Sequence, residues 1–375
     1  MNRNLLAPEL SVRLDTDYWL LWFKCSNQYS IVSNNLKEAL DRVLVTGSKA
    51  QYTHSQRVDK KESEAEWDML TAYLDLCQTP KIDSEILSVK EVPEYSIQEC
   101  VFLDILGRTI VLETDDDSTK NLLLPALSVY ECPKQEEKSI AVRFTVFRKA
   151  GIIYLLKDSQ LIRAVQQDAY HIIQGTFITQ LLCSIQHQNL NSLLGCLHAS
   201  TVVNQNTGHT IALIGNSGSG KSTLTALLAK HGYSVLADDI SALTEAYNIL
   251  YNPNGISIKS GAYDILKEYY PELMNLKPYK TKKGLISYLS PPTSQLYQSP
   301  CHTLVLVNYS PKGEECFEPL ERHEALHILI PESWISPTPE HAKAFMDWCS
   351  HLECYKLTYH HIDTALDRLA SLHKV

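Results

Sequence analysis

No stretch of this 375-residue chain comes near the ~18 consecutive apolar residues that a membrane-spanning helix needs. Glu9, Arg13, Asp15 and Asp17 interrupt the N-terminal region ahead of the apolar run Tyr18 to Phe23, so no secretory signal peptide fits there. The 10 cysteines show no metal or redox spacing, since even the closest pair, Cys349 and Cys354, matches neither CxxC nor a zinc ribbon. They read as reduced thiols, and without an export or anchoring signal the cytoplasm is the expected location. Positive charge is also short. With 34 basic against 43 acidic residues the formal net charge is -9, which argues against a nucleic-acid partner.

What is present suits a chain that buries a sizeable core, with 44% apolar and 21% charged residues. The length exceeds the roughly 100–200 residues of one domain, so two are expected. The polar run Pro133-Lys-Gln-Glu-Glu-Lys138 suggests the division: an N-terminal domain over residues 1–138 and a second over 139–375. In the first part Tyr18 to Phe23 and Cys100 to Ile105 read as strands. The charged run Asp59 to Glu66 leads into a helix through Leu76, and Glu113 to Ser118 reads as a solvated acidic loop.

Beyond the polar run, apolar and polar residues alternate from Ile140 to Val146 and from Ile152 to Leu156, as in strands. Leu161 to Leu194 carries apolar residues at helical spacing and reads as one long helix, with Gly175 as its point of interruption. Strands follow at Leu197 to Val203 and Thr210 to Ile214, separated by the turn residues Asn204 to Gly208. His302 to Asn308 reads as a buried strand, and His341 to Leu369 as helix, strand and helix.

Immediately after the strand ending at Ile214, Gly215-Asn216-Ser217-Gly218-Ser219-Gly220-Lys221-Ser222 fits the phosphate-cradling pattern G-x-x-x-x-G-K-[ST]. Its glycines let successive backbone N–H groups turn toward a phosphate, Lys221 supplies a cation for the β and γ oxygens, and Ser222 offers a hydroxyl to Mg2+. A helix beginning here, with Thr223 in its first turn, adds its positive end and stops at Gly232. ATP with Mg2+ is the implied ligand. Asp238 and Asp239 close the next strand, Ser234 to Ala237, at the place where one carboxylate can hold the metal and the other can take a proton from a hydroxyl. His198 sits at the head of the preceding strand. A lone histidine there is ordinarily a packing residue. His360-His361 has no spaced carboxylate or cysteine nearby in the sequence, and on a strand the two side chains would face opposite ways, which disfavours a metal site.

Leu197-His198-Ala199-Ser200, the loop Gly215 to Ser222, and Leu236-Ala237-Asp238-Asp239 together resemble the catalytic domain of HPr kinase/phosphorylase and its relatives. The resemblance covers roughly residues 139 to 375. It implies an α/β fold, a P-loop kinase domain related to phosphoenolpyruvate carboxykinase; the N-terminal third does not resemble the receiver-like N-terminal domain of the bifunctional enzymes and is expected to be a smaller α+β domain. The resemblance also implies that Asp238 is the catalytic base supported by His198, that Lys221 and Ser222 hold phosphate and metal, and that Asp239 belongs to the metal site.

Two residues depart from the bacterial enzymes, Ala199 in place of glycine and Thr223 in place of glutamate. The longer glycine-rich stretch that marks phosphorylase activity is absent between Glu245 and Pro292. These departures look more like the HPr kinase-related proteins whose implied substrate is a serine of a ribosomally made peptide. A serine kinase acting on a peptide or protein is therefore expected, with residues 1–138 as its acceptor-binding part. A kinase for free serine or a sugar, and an ATPase switch without an acceptor, are the alternatives. Lys259, Lys280, Lys282 and Lys283 are candidate helpers, and the choice between monomer and homo-oligomer stays open.

Overall fold

The computed structural model describes residues 6–55, 59–80, 85–281, 284–290 and 296–372. It is a mixed α/β fold whose sheets can be followed from the alternation in the sequence. Strands β1 (Leu10–Arg13), β2 (Tyr18–Phe23) and β3 (Gln28–Ser33) form an antiparallel meander. The period of two in β2 turns Leu20 and Trp22 to one face and Leu21 and Phe23 to the other. Leu21 and Phe23 bury against α1 (Asn34–Thr46), α2 (Lys49–Ser55) and α3 (Lys60–Gln78). Leu20 and Trp22 join Phe345 and Trp348 from the far end of the chain.

A six-stranded sheet follows, in the order β6-β4-β5-β7-β8-β9. Its members are β4 (Glu99–Ile105), β5 (Arg108–Thr114), β6 (Glu131–Cys132), β7 (Ile140–Lys149), β8 (Ile152–Lys157) and β9 (Gln160–Gln166). The boundary expected between 138 and 139 runs through this sheet, because β5 and β7 pair in parallel from Ile110 opposite Val142 to Thr114 opposite Val146. Parallel neighbours need a crossover. The polar run Pro133 to Lys138 lies on that crossover, behind α4 (Asp117–Leu123). The acidic stretch expected to be a solvated loop is partly structural: Asp116 accepts the Thr119 N–H at the start of α4, and Asp115 accepts the Arg148 N–H.

The long helix expected from Leu161 to Leu194 is divided. Asp158 and Ser159 adopt positive φ of 48° and 67° and fold β9 back on β8 as a hairpin, so the first residues of the segment are a strand. Helix α5 (Tyr170–Ile185) runs through Gly175 without interruption, and the segment ends in β10 (Leu193–Leu197).

The sheet that carries the phosphate-loop motif has the order β13-β11-β12-β20-β23-β21. It contains β11 (Ser200–Asn204), β12 (Thr210–Ile214), β13 (Tyr233–Ala237), β20 (Thr303–Tyr309), β21 (Cys316–Pro319) and β23 (Glu353–Tyr359). Alternation along β12 buries Ile211 and Leu213 against α6 (Lys221–Lys230) and α10 (Ile362–Ser371). Ala212 and Ile214 face the opposite way, toward α8 (Arg322–Leu329) and α9 (Pro339–Ser350). The sheet is thus covered on both sides, as its apolar strands require.

Two smaller sheets flank it. One has the order β19-β15-β14-β10-β22, adding β14 (Ser241–Thr244), β15 (Asn248–Leu250), β19 (Gln298–Pro300) and β22 (Trp334–Ile335). The other, β16-β18-β17, is built from β16 (Ile256–Lys259), β17 (Tyr279–Thr281) and β18 (Gly284–Leu289), with α7 (Tyr263–Leu266) between its first two strands in sequence. Among the described residues no helix is long and apolar enough to cross a membrane.

The N-terminal meander is also fastened by polar contacts. Asp15 accepts the backbone N–H groups of Arg322 and His323 at the start of α8, and its carboxylate lies 3.0 Å from the Nδ1 of His323. A residue near the start of the chain therefore caps a helix of the second half.

Candidate functional site

Between β12 and α6 the backbone takes positive φ at Gly215 (142°), Gly218 (90°) and Gly220 (97°). Two of these positions are also tight. A Cβ on Gly215 would stand 2.8 Å from the Val307 carbonyl oxygen, and one on Gly220 would stand 2.9 Å from the Tyr359 hydroxyl. Tyr309 donates its N–H to the Ser219 carbonyl at 2.9 Å, so the ends of β20 and β23 form the support of the loop. Neither tyrosine carries a sequence signal of its own.

Lys221 opens α6 and is buried, with its Nζ donating to the Gly215 carbonyl at 2.6 Å and the Asn216 carbonyl at 3.4 Å. Asn216 also accepts the Ser219 N–H at 3.1 Å, which closes the loop as a turn. Ser217 accepts a hydrogen bond from Lys259 Nζ at 3.2 Å, so the lysine at the end of β16 reaches the loop. Thr223 lies in the first turn of α6, partly buried. Lys280 is on β17, opposite Leu285, and no contact joins it to the loop among the described residues. Lys282 and Lys283 lie outside the described residues.

Strand β13, which carries the two aspartates at its end, is not the immediate neighbour of β12 in the sheet. Strand β11 lies between them, antiparallel to both, so β13 still points the same way as β12 and ends at the loop. The first residue past it, Asp238, is 1% exposed. Ser222 Oγ is 3.1 and 3.0 Å from its two oxygens, Ser200 Oγ donates at 2.5 Å, and the Ser257 N–H donates at 3.0 Å. Burial, followed by the charge of Asp239, raises the pKa of Asp238, while the Ser200, Ser257 and Ser222 bonds oppose that rise. Ser200 and Ser257 complete the pocket and are not evident from spacing alone.

Asp239 takes the left-handed conformation at φ 69°, which swings its side chain away from that pocket to 62% exposure. Its carboxylate lies 3.4 Å from His198 Nδ1. His198 is in the connection between β10 and β11 instead of heading the strand, and Ser333 Oγ accepts its N–H at 3.3 Å. The structure therefore pairs the histidine with the second aspartate and the loop serine with the first. This is the reverse of the pairing that the resemblance implies.

Tyr288 on β18 belongs to the same surroundings. Burial, with the charges of Asp239 and Asp238 next, pushes its phenol above the usual range.

No family model matches the chain, and no curated protein matches its sequence. Among solved structures it is similar to the Hpr(Ser) kinase/phosphatase from Coxiella burnetii, at 12% identity over 48% of this chain and 97% of that chain, with a TM-score of 0.24. A likeness of that size decides neither the architecture nor the chemistry, so the reading of the site rests on its own residues.

Proposed function

We propose that the chain is an ATP-dependent phosphotransferase that moves the γ-phosphate to a hydroxyl, with the serine of a peptide or protein as acceptor. The observation that carries this reading is the contact of Ser222, at the start of α6, with the buried Asp238 carboxylate. A hydroxyl and a carboxylate directly behind a glycine-rich loop form the hard oxygen donor set that Mg2+ prefers. When bound with ATP, the ion neutralises charge on the β and γ oxygens. Lys221, whose Nζ already lies against the loop carbonyls, contributes the second positive charge there.

Asp239 and His198 supply what an acceptor needs. The exposed Asp239 carboxylate accepts the proton of the attacking hydroxyl as its oxygen bonds to the γ-phosphorus and ADP leaves. His198 holds that carboxylate in place from 3.4 Å. Beside the Ser333 that accepts the His198 N–H, Trp334 is 47% exposed on an edge strand and offers an apolar surface to an acceptor chain.

The test incubates the full chain with γ-labelled ATP, Mg2+ and a set of serine-containing peptides, among them those encoded beside its gene, with free serine in a parallel arm. Mass spectrometry then locates the label. Phosphopeptide formed in proportion to ATP consumed supports the reading. Release of inorganic phosphate at one rate, whatever hydroxyl is present, would replace it with an ATPase switch.

A further inference from the structure

We propose that Glu315, His360 and His361 form a binding site for one divalent transition-metal ion of the zinc class. The two histidines are not on a strand. Strand β23 ends at Tyr359, and His360 and His361 turn into α10, which brings their rings to 4.1 Å between centroids at an interplanar angle of 50°. The carboxylate missing from the local sequence arrives from the neighbouring strand. Strands β21 and β23 pair with Cys316 opposite Thr358, so Glu315, one residue before β21, falls beside the residues that follow Tyr359.

Glu315 is held firmly. Its Oε1 accepts the N–H of His360 at 3.0 Å and that of His361 at 2.8 Å. The two imidazoles approach the same carboxylate from its two oxygens, with His360 Nδ1 3.6 Å from Oε1 and His361 Nδ1 3.5 Å from Oε2. One donor atom from each of the three residues lies within 4.8 Å of the others. Zinc binds imidazole nitrogen and carboxylate oxygen at about 2.0–2.2 Å in a tetrahedron, which puts neighbouring donors roughly 3.3–3.5 Å apart. The two imidazole–carboxylate separations nearly match that spacing. They exceed good hydrogen-bond lengths. His360 Nδ1 is, moreover, shielded from solvent with no hydrogen-bond partner among the described residues, a state that a ligated ion relieves.

Two imidazoles with one carboxylate form a donor set that suits zinc better than Mg2+, which prefers oxygen throughout. The site is separate from Ser222 and Asp238, yet it is mechanically linked to the loop. Tyr359 directly precedes His360 and crowds Gly220, and its carbonyl accepts the Ser310 N–H at 3.0 Å. An ion bound here would tie the segment leaving β20 to the start of α10, beneath the phosphate loop.

The experiment uses the full chain, stripped with chelator and free of nucleotide, titrated with Co2+ as a spectroscopic probe and with Zn2+ by calorimetry. One equivalent of Co2+ should produce the visible d–d absorption of a low-coordinate nitrogen and oxygen site, and Zn2+ should displace it. Glu315→Gln and His361→Ala should each weaken binding by at least ~10-fold, while His198→Ala should leave it unchanged. The His361 side chain is 70% exposed, so its removal tests the site without disturbing the core. Zn2+ should also raise the melting temperature of the unsubstituted chain and not that of His361→Ala. No saturable site in the unsubstituted chain would overturn the proposal. Equal affinity in His361→Ala, or loss of binding only in His198→Ala, would do the same.

Discussion

His198 Nδ1 lies 3.4 Å from the Asp239 carboxylate, whereas both oxygens of Asp238 are engaged by Ser222. Two adjacent residues of one type thus have different surroundings, one exposed beside an imidazole and the other sealed beneath the loop. Under the proposed function, Asp239→Asn should lower the rate of phosphoryl transfer by ~10²–10⁴-fold, the usual contribution of a general base. Its affinity for ATP with Mg2+ should stay near that of the parent. Single-turnover transfer measured beside nucleotide titration separates the two effects, and weakened Mg2+-dependent binding with intact transfer would hand the metal role to Asp239.

Asp238→Asn is expected to do the reverse, weakening nucleotide binding only when Mg2+ is present. It also carries a stability prediction. Burial and the Asp239 charge raise the Asp238 pKa above the ordinary carboxylate value that the unfolded chain keeps, so the folded state holds the proton to higher pH. Stability from this group is complete below the unfolded value and is lost as pH rises through the folded one. The amide variant should therefore melt higher than the parent at pH 8, with a gain that shrinks as pH falls toward 4. Scanning calorimetry across that range decides the matter, and a variant that is less stable at every pH would show that the bonds from Ser200 and Ser257 outweigh the buried charge.

Lys221→Ala should reduce transfer by about three orders of magnitude or more, because the loop's amides alone leave the γ-phosphate charge poorly matched in the transition state. The melting temperature without nucleotide should change little by comparison. Near-normal turnover in this variant would remove the loop from the chemistry.

Gly220→Ala combines a left-handed φ of 97° with a contact 2.9 Å from the Tyr359 hydroxyl. A cost of about 1–3 kcal/mol is expected from the backbone conformation, together with weaker ATP binding as the loop shifts. Gly175→Ala is the matched control, since it lies inside α5 with open space at the Cβ position, and it should be neutral or stabilising by about 0.4–1 kcal/mol. Denaturant midpoints for the pair give the comparison. A Gly220→Ala midpoint equal to the control would mean that the loop does not need its tight seat.

A fragment beginning at Ser139 should not fold as a monomer, although the polar run before it looks like a linker. It would expose the edge of β7 that pairs with β5 and remove Leu20 and Trp22 from their packing with Phe345 and Trp348. Circular dichroism and gel filtration of the fragment check this, and a compact, cooperatively melting monomer would reinstate the boundary.

The structure bears out those strands and helices whose signal is local. The short apolar runs Tyr18 to Phe23 and Thr210 to Ile214 and the alternating Ile140 to Val146 are strands, and the helix stop at Gly232 follows from its position behind α6. The segment Leu161 to Leu194 misleads, because apolar spacing that is helical over α5 continues into the strand β9, whose hairpin is governed by two positive-φ residues, Asp158 and Ser159. His360 and His361 mislead for the opposite reason. Their third partner, Glu315, is adjacent only through the pairing of β21 with β23.

By itself the sequence determined the phosphate-loop motif between a strand and a helix, the presence of two carboxylates at the next strand end, and the absence of long apolar spans. These are statements about neighbouring residues, where hydrogen-bond period, turn chemistry and motif spacing act over a few positions. Only the tertiary structure decided that one sheet joins strands from either side of residue 138, that Asp15 caps α8, and that the left-handed turn at Asp239 sends it to His198 while Asp238 stays with Ser222. Each of these depends on which distant strand fills an edge or a pocket, and that choice is made by the packing of the whole core.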